Sequence, residues 1–371
     1  MVRYVLRRLL LTVIVILGAA VVIFTVMYFV PGDPAEILLG VTAAPEDIAA
    51  KREALGLDKP FFVQLGSFMY NAFIKFDLGT SWARGTSVMS GLIERLPRTF
   101  LLGLLTVLVT VIVGIPIGVN AAIHRGGWQD RVLMVSSMFF ISVPEFWLAL
   151  MLIIVFSLNL GWLPSFGIES WKCYILPVVS GAIAGIANLA RQTRSSVLEV
   201  VRADYITTAR AKGMKERPII YKHMLPNALI PVITVTGSFF ARCVGGTIVI
   251  EKIFSFPGVG LYMSDAITSR DYPIVRGCVI VLAAFTALLM LVVDLAYGFA
   301  EPQIKAQYAE SGKKKGNGRG RGRHTHPRGK GQHQGDQHGG ERHLVGARVG
   351  DDQAPEDEQP GHESQGEEGD Q

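Results

Sequence analysis

The chain has 371 residues, 50% of them hydrophobic and only 18% charged, with a mean hydropathy of +0.35. Soluble domains carry about 25% charged residues, so an ordinary soluble enzyme is excluded, and three cysteines with no CxxC or metal-ligand spacing exclude a disulfide scaffold. The charge is uneven: the 63 residues from Ala309 to Gln371 hold 10 basic and 12 acidic side chains, which leaves residues 1–308 as an apolar body of net charge +7.

A bilayer core about 30 Å thick takes about 20 apolar residues of helix. The first such run is Leu9 to Val30, 22 residues without a charge. It follows Arg3, Arg7 and Arg8 as a signal peptide would. It is too long for one and has no Ala-x-Ala site before Pro31, so it is expected to stay as an anchor. A loop from Pro31 to Arg98 comes next. Pro31-Gly32-Asp33-Pro34 is turn chemistry. Pro45-Glu46-Asp47 starts a helix that Gly56 stops, and Asp58-Lys59-Pro60 starts another carrying Phe61, Phe62, Leu65, Phe68 and Met69. Two short helices over the outer membrane face are expected there.

Five more apolar runs follow. They are Thr99 to Ile123; Val132 to Ser157, with Glu145; Cys173 to Ala190, rich in small residues; Leu229 to Ile250, with Arg242; and Ile274 to Gly298, with Arg276 and Asp294 near its ends. Gly114/Gly118 and Gly181/Gly185 are Gly-x-x-x-Gly pairs, read as sites where helices approach closely. Pro116 and Pro144 are expected to kink their helices. Lys and Arg gather in the amino terminus, in the loop with Arg125 and Arg131, and above all between Arg191 and Ala228. Those segments are therefore expected on the cytoplasmic side, with both termini. The fold class predicted is all-α, a polytopic membrane protein with six transmembrane helices.

Residues 303–371 form a low-complexity tail, with 15 Gly and six of the eight His falling after residue 308. Such a segment buries too little surface to order itself. Its basic cluster, Lys313-Lys314-Lys315 with Arg319, Arg321 and Arg323, is read as solvated or touching anionic lipid, not as a nucleic-acid site.

No GxxxxGK[ST], GxSxG or HExxH occurs, so no phosphate loop, hydrolase or metal site is expected in the chain itself. Charges inside spans are costly and mark function by default. Glu145 and Arg242 are thus candidates for a polar translocation pathway, against an ion pair or snorkelling as the plainer readings. The most informative segment is Asp204-Tyr205-Ile206-Thr207-Thr208-Ala209-Arg210-Ala211-Lys212-Gly213. Asp204 is expected to cap a helix, Ala209, Ala211 and Gly213 to let another protein approach closely, and Arg210, Lys212, Lys215 and Arg217 to surround it with positive charge. The residues alone leave open a basic helix resting on the inner leaflet.

This segment resembles the cytoplasmic coupling motif of ABC-importer permeases, in the form used by the dipeptide/oligopeptide/nickel group. Aligned on Gly213, Thr207, Thr208 and Ala209 stand where the general motif has Glu-Ala-Ala, and Leu225-Pro226 close it after His223. The resemblance extends over nearly all of residues 1–308, through Pro31-Gly32-Asp33-Pro34, Leu55-Gly56-Leu57-Asp58-Lys59-Pro60, Asp77-Leu78-Gly79, Pro144-Glu145-Phe146-Trp147, Gly161-Trp162-Leu163-Pro164, Phe254-Ser255-x-Pro257-Gly258-x-Gly260 and Arg270-Asp271-Tyr272-Pro273. Arg242 departs from it.

The resemblance implies a non-catalytic permease with an amino-terminal helix (1–30), an extracytoplasmic subdomain (31–98), a permease core (99–302) and a coupling helix at 204–217. It implies a second homologous permease in a heterodimer, two ATP-binding cassette subunits that use ATP and Mg, and an extracytoplasmic binding lipoprotein or periplasmic protein. Asp204, Tyr205, Thr208, Ala209, Arg210, Ala211, Lys212 and Gly213 would meet the ATPase, and this chain would bind no cofactor. Di- and oligopeptides are the expected cargo, with nickel or another small solute as the alternative. An ion-gradient transporter or a membrane scaffold would leave residues 204–213 unexplained.

Overall fold

The computed structural model describes residues 2–40 and 42–300; the expected tail from 303 to 371 lies outside the described residues. The described residues are helical, with one isolated β-bridge between Thr80 and Ser87. Helix α1 (Val2–Phe29) leads to three short helices, α2 (Pro34–Leu39), α3 (Pro45–Ala54) and α4 (Phe61–Phe73), one more than expected. The extra one is α2, where Asp33 accepts the Ala35 N–H at 2.9 Å as an N-cap and Pro34 opens the first turn.

Helix α5 (Val88–Ile123) starts well ahead of Thr99 and stays continuous through Pro97 and Pro116, so Pro116 does not break it. Helices α6 (Trp128–Ser142) and α7 (Glu145–Leu152) take the place of the single third span, and α7 continues as a π-helix over Ile153–Asn159. Helix α8 (Ile175–Val201) runs beyond Ala190. Next come α9 (Asp204–Ala211), α10 (Glu216–Pro218), α11 (Leu225–Gly246), α12 (Ile248–Ile253), α13 (Val259–Thr268) and α14 (Tyr272–Ala300). Among the described residues, five helical stretches are long and apolar enough to cross a membrane, and the bent α6–α7 pair makes a sixth if counted as one span.

The largest helix interface is α5 against α8. The Gly114/Gly118 pair explains it: Gly114 lies on Ile186 and Leu189, and Gly118 on the Ala190 carbonyl and Thr193, leaving no room for a Cβ at Gly118. Close backbone approach replaces the hydrophobic drive that lipid removes. Helix α14 packs against both α1 and α11. Side chains on α1 such as Leu10, Val15 and Val22 remain exposed, as lipid-facing residues would be.

Two buried carboxylates fasten the end of the bundle that carries α2–α4. Asp271 accepts from the Ser81 hydroxyl and from the N–H groups of Trp82 and Ala83 at 3.1 and 3.3 Å, and neighbouring Arg270 donates to the Pro31 carbonyl at 2.6 Å. Glu251, wholly buried, accepts from Thr99 at 2.7 Å, Thr247 at 3.0 Å and the Leu261 N–H at 2.9 Å. The carboxylate fills the space a Cβ would need at Gly258 and Gly260, which accounts for both glycines after Phe254. Burial pushes the Glu251 carboxyl above its ordinary value, against the opposing pull of these hydrogen bonds.

Candidate functional site

Helix α9 begins after Ala203, whose extended backbone (φ −70°, ψ 142°) is the N-cap; no side chain caps it. Asp204 is the first helical residue, not the cap, and its charge favours the positive end of the helix. The helix stops at Ala211. Gly213, at φ +76°, takes the left-handed turn, and Met214 N–H returns to the Ala209 carbonyl at 3.3 Å. That closure is a glycine C-cap. The single helix expected over 204–217 is therefore two pieces, α9 and α10, with Gly213 between them.

Ile206 and Ala209 lie three residues apart on one face and are buried in a cluster with Val119 and Ala122 of α5, Val197 of α8, and Ile219 and Met224. Ala209 thus faces the protein's own interior. Asp204, Tyr205, Thr208, Arg210, Ala211, Lys212 and Gly213 are exposed. Thr208 bonds back to the Asp204 carbonyl at 2.9 Å, and Arg210 forks onto Glu216 at 2.9 and 3.3 Å. A Cβ on Gly213 would meet nothing within 4 Å, so the backbone turn, rather than crowding, calls for glycine there.

A second connection starts on α8. Arg194 holds Asp130, at the start of α6, in a two-pronged ion pair with one prong at 2.8 Å, and Asp130 also accepts the Gly126 N–H at 2.9 Å. Helix α6 ends at Ser142, and α7 leaves at 97° to it. Val143 is extended (φ −76°, ψ 125°) because a residue before proline is pushed from the helical region. Pro144 therefore does more than kink the third span, and Glu145 is the first residue of α7 rather than the middle of a straight helix.

Helix α8 brings the two candidate pathway charges into one neighbourhood. The Glu145 carboxylate lies 3.4 Å from where a Cβ on Gly181 would stand. One turn along, Gly185 has no room for a side chain because the Phe239 ring lies on it, and the Arg242 guanidinium sits 5.7 Å from that ring's centre. Glu145 and Arg242 form no ion pair with each other within 4.0 Å among the described residues. Arg242 also stands one turn from the end of α11 at Gly246, less deep than the run to Ile250 implied. Asp294 is bound to Arg8 of α1 at 2.6 Å, the structural reading of that charge.

The sequence reading missed Asp130 and Arg194, because Arg194 was counted as loop charge and nothing in the chain couples positions 64 residues apart.

The description "Binding-protein-dependent transport system inner membrane component" fits residues 114–306, and that family's amino-terminal model fits residues 1–103. The chain belongs to this family. It is an ABC-importer permease of the peptide/oligopeptide group, as its motifs indicated. The permease is 38% identical to the dipeptide transport system permease protein DppB of Alkalihalophilus pseudofirmus, over 82% of this chain and 100% of that one. It is 41% identical to a putative peptide transport system permease of Brucella abortus, over 82% and 99% of the two chains. It is 39% identical to the glutathione transport system permease protein GsiC of Salmonella choleraesuis, again over 82% and 99%. Among solved structures, an inward-facing MetNI methionine ABC transporter aligns at a TM-score of 0.50 and 19% identity, covering 57% of the permease and 97% of that chain, a likeness of fold.

Proposed function

We propose that this permease carries di- and oligopeptides across the cell membrane as the passive member of an ATP-driven importer, moved through the exposed face of α9. The observation that carries this reading is how α9 is seated. Tyr205, Thr208, Arg210, Ala211 and Lys212 face outward, while Ile206 and Ala209 are sunk against α5 and α8. A partner that displaces the outer face displaces both long helices, because a packed core transmits rather than absorbs strain. Helix α8 then carries α6 through Arg194 and Asp130, and the chain beyond α6 turns at Pro144 into Glu145.

In this reading two ATP-binding cassette subunits, which hold ATP and Mg, dock on the inner loops of the complex, and α9 sits in a cleft of one of them. A second, distinct permease completes a heterodimer, and an extracytoplasmic binding protein delivers cargo. Glu145 and Arg242 line the pathway beside Gly181 and Gly185. Residues 1–30 anchor, 31–98 form the outer subdomain, 99–302 form the core, and both ends of the chain are cytoplasmic. The Arg8–Asp294 ion pair is in line with that orientation, since it joins the start of α1 to the far part of α14. Relatives named for dipeptide, peptide and glutathione transport support a peptide cargo. ATP drives the switch only if it binds the two arrangements with different affinity.

The test is Gly213→Val in the reconstituted importer. A β-branched residue at φ +76° costs about 1–2 kcal/mol and breaks the turn that ends α9. The variant is expected to insert and to support ATP hydrolysis, with peptide uptake per ATP falling at least tenfold, where ~1.4 kcal/mol corresponds to each factor of ten. Unchanged uptake per ATP would remove α9 from the coupling path.

A further inference from the structure

We propose that Arg276 anchors a second binding site, a cavity beside α4 that takes a small zwitterion through its free carboxylate, a short unblocked peptide being the fitting ligand. Arg276 stands one turn into α14. Its guanidinium lies 4.4 Å from the centre of the Phe24 ring, with Phe68 at 5.6 Å and Tyr272 at 5.9 Å. These ring faces hold a cation in place but offer it no directed hydrogen bond. Among the described residues no carboxylate pairs with Arg276, and its Nε–H is buried without an acceptor. The Tyr272 hydroxyl is buried and unmet in the same way. A guanidinium fixed by rings with its fork unanswered is a receptor for a planar oxyanion.

Room for that oxyanion adjoins it. Arg276 forms one wall of a cavity of about 350 Å³, with Asn71, Asp77, Thr80 and Trp82 among the other walls. Small-molecule sites start near this volume, at about 300 Å³. Asp77 selects among the possible anions. Its carboxylate repels a doubly charged phosphate across the cavity and attracts an ammonium group. One Asp77 oxygen accepts the Gly79 N–H at 2.8 Å, and the other has no hydrogen bond among the described residues. A ligand with a carboxylate at one end and an ammonium at the other answers both charges. The walls are preorganised, since Asp271 already clamps the turn that carries Ser81, Trp82 and Ala83.

This site needs neither nucleotide nor transport, so its failure would leave the import reading standing. The experiment uses the full chain in phosphatidylcholine nanodiscs, titrated calorimetrically with alanyl-alanine, its carboxyl-terminal amide and its N-acetyl form. Saturable binding of one alanyl-alanine is expected, weakened at least tenfold by either block. Arg276→Gln should abolish the preference for the free carboxylate. Asp77→Asn should abolish only the preference for the free ammonium; because it alters one loop side chain, it serves if Arg276→Gln folds poorly. Binding should persist in nanodiscs containing phosphatidylglycerol. Absence of saturable binding, equal binding of the amide, or loss of peptide binding to phosphatidylglycerol would overturn the proposal, the last by assigning Arg276 to lipid phosphate.

Discussion

Glu251 gives up all contact with water to hold three segments together: α12, the start of α13 and Thr99 of α5. Its carboxyl is displaced upward from the ordinary 4.5 by burial. A carboxyl raised in the folded state contributes stability that is complete below its unfolded value and is lost as pH rises through its folded value. Glu251→Gln cannot titrate, although its amide also gives up acceptors for the Leu261 and Gly260 N–H groups. The wild-type advantage in thermal unfolding is therefore expected to shrink as pH rises above about 4.5; an advantage that grows with pH would contradict the assignment. Nothing in the chain announced this role, because the main partner is Thr99, 152 residues away. Ala209 teaches the converse. Its burial follows from a local signal, its spacing from Ile206, since residues three apart share a helix face.

Helices were legible where one local signal sufficed. Pro45 and Pro60 marked the starts of α3 and α4, and the Gly114/Gly118 pair marked the α5–α8 contact. The third span bends more sharply than the kink expected at Pro144, because hydropathy runs unbroken through Val143-Pro144 while the break is a backbone event. The reach of α8 was misread because Arg191 and Arg194 counted as loop charge, whereas Arg194 is satisfied inside the fold by Asp130. That ion pair is the joint between α8 and α6. The pair is half-buried and charge-assisted, so Asp130→Ala is expected to lower stability by about 1–3 kcal/mol. The exchanged pair, Asp130→Arg with Arg194→Asp, should recover at least half of the loss and restore uptake per ATP in step. An Asp130→Ala variant with native stability and native uptake would show that the joint carries nothing.

At the scale of the whole molecule, the sequence motifs and the architecture agree on a helical membrane permease of the importer family. The long helices provide the membrane body, Asp271 and Glu251 fasten one end, and α9 presents a polar face at the other. The ordered series of short motifs was readable because each fixes a turn or a cap. Partner-facing roles were less so, because a pathway shared between two chains leaves only half its chemistry in either. The direct measurement is uptake of a labelled dipeptide into proteoliposomes, made with the purified chain alone or with its companion permease, both ATPase subunits, the binding protein and ATP. Accumulation is expected only in the complete, ATP-supplied system, at least a hundredfold above the chain alone. Transport by the chain alone at the complete system's rate would contradict the proposal that an external ATPase moves it.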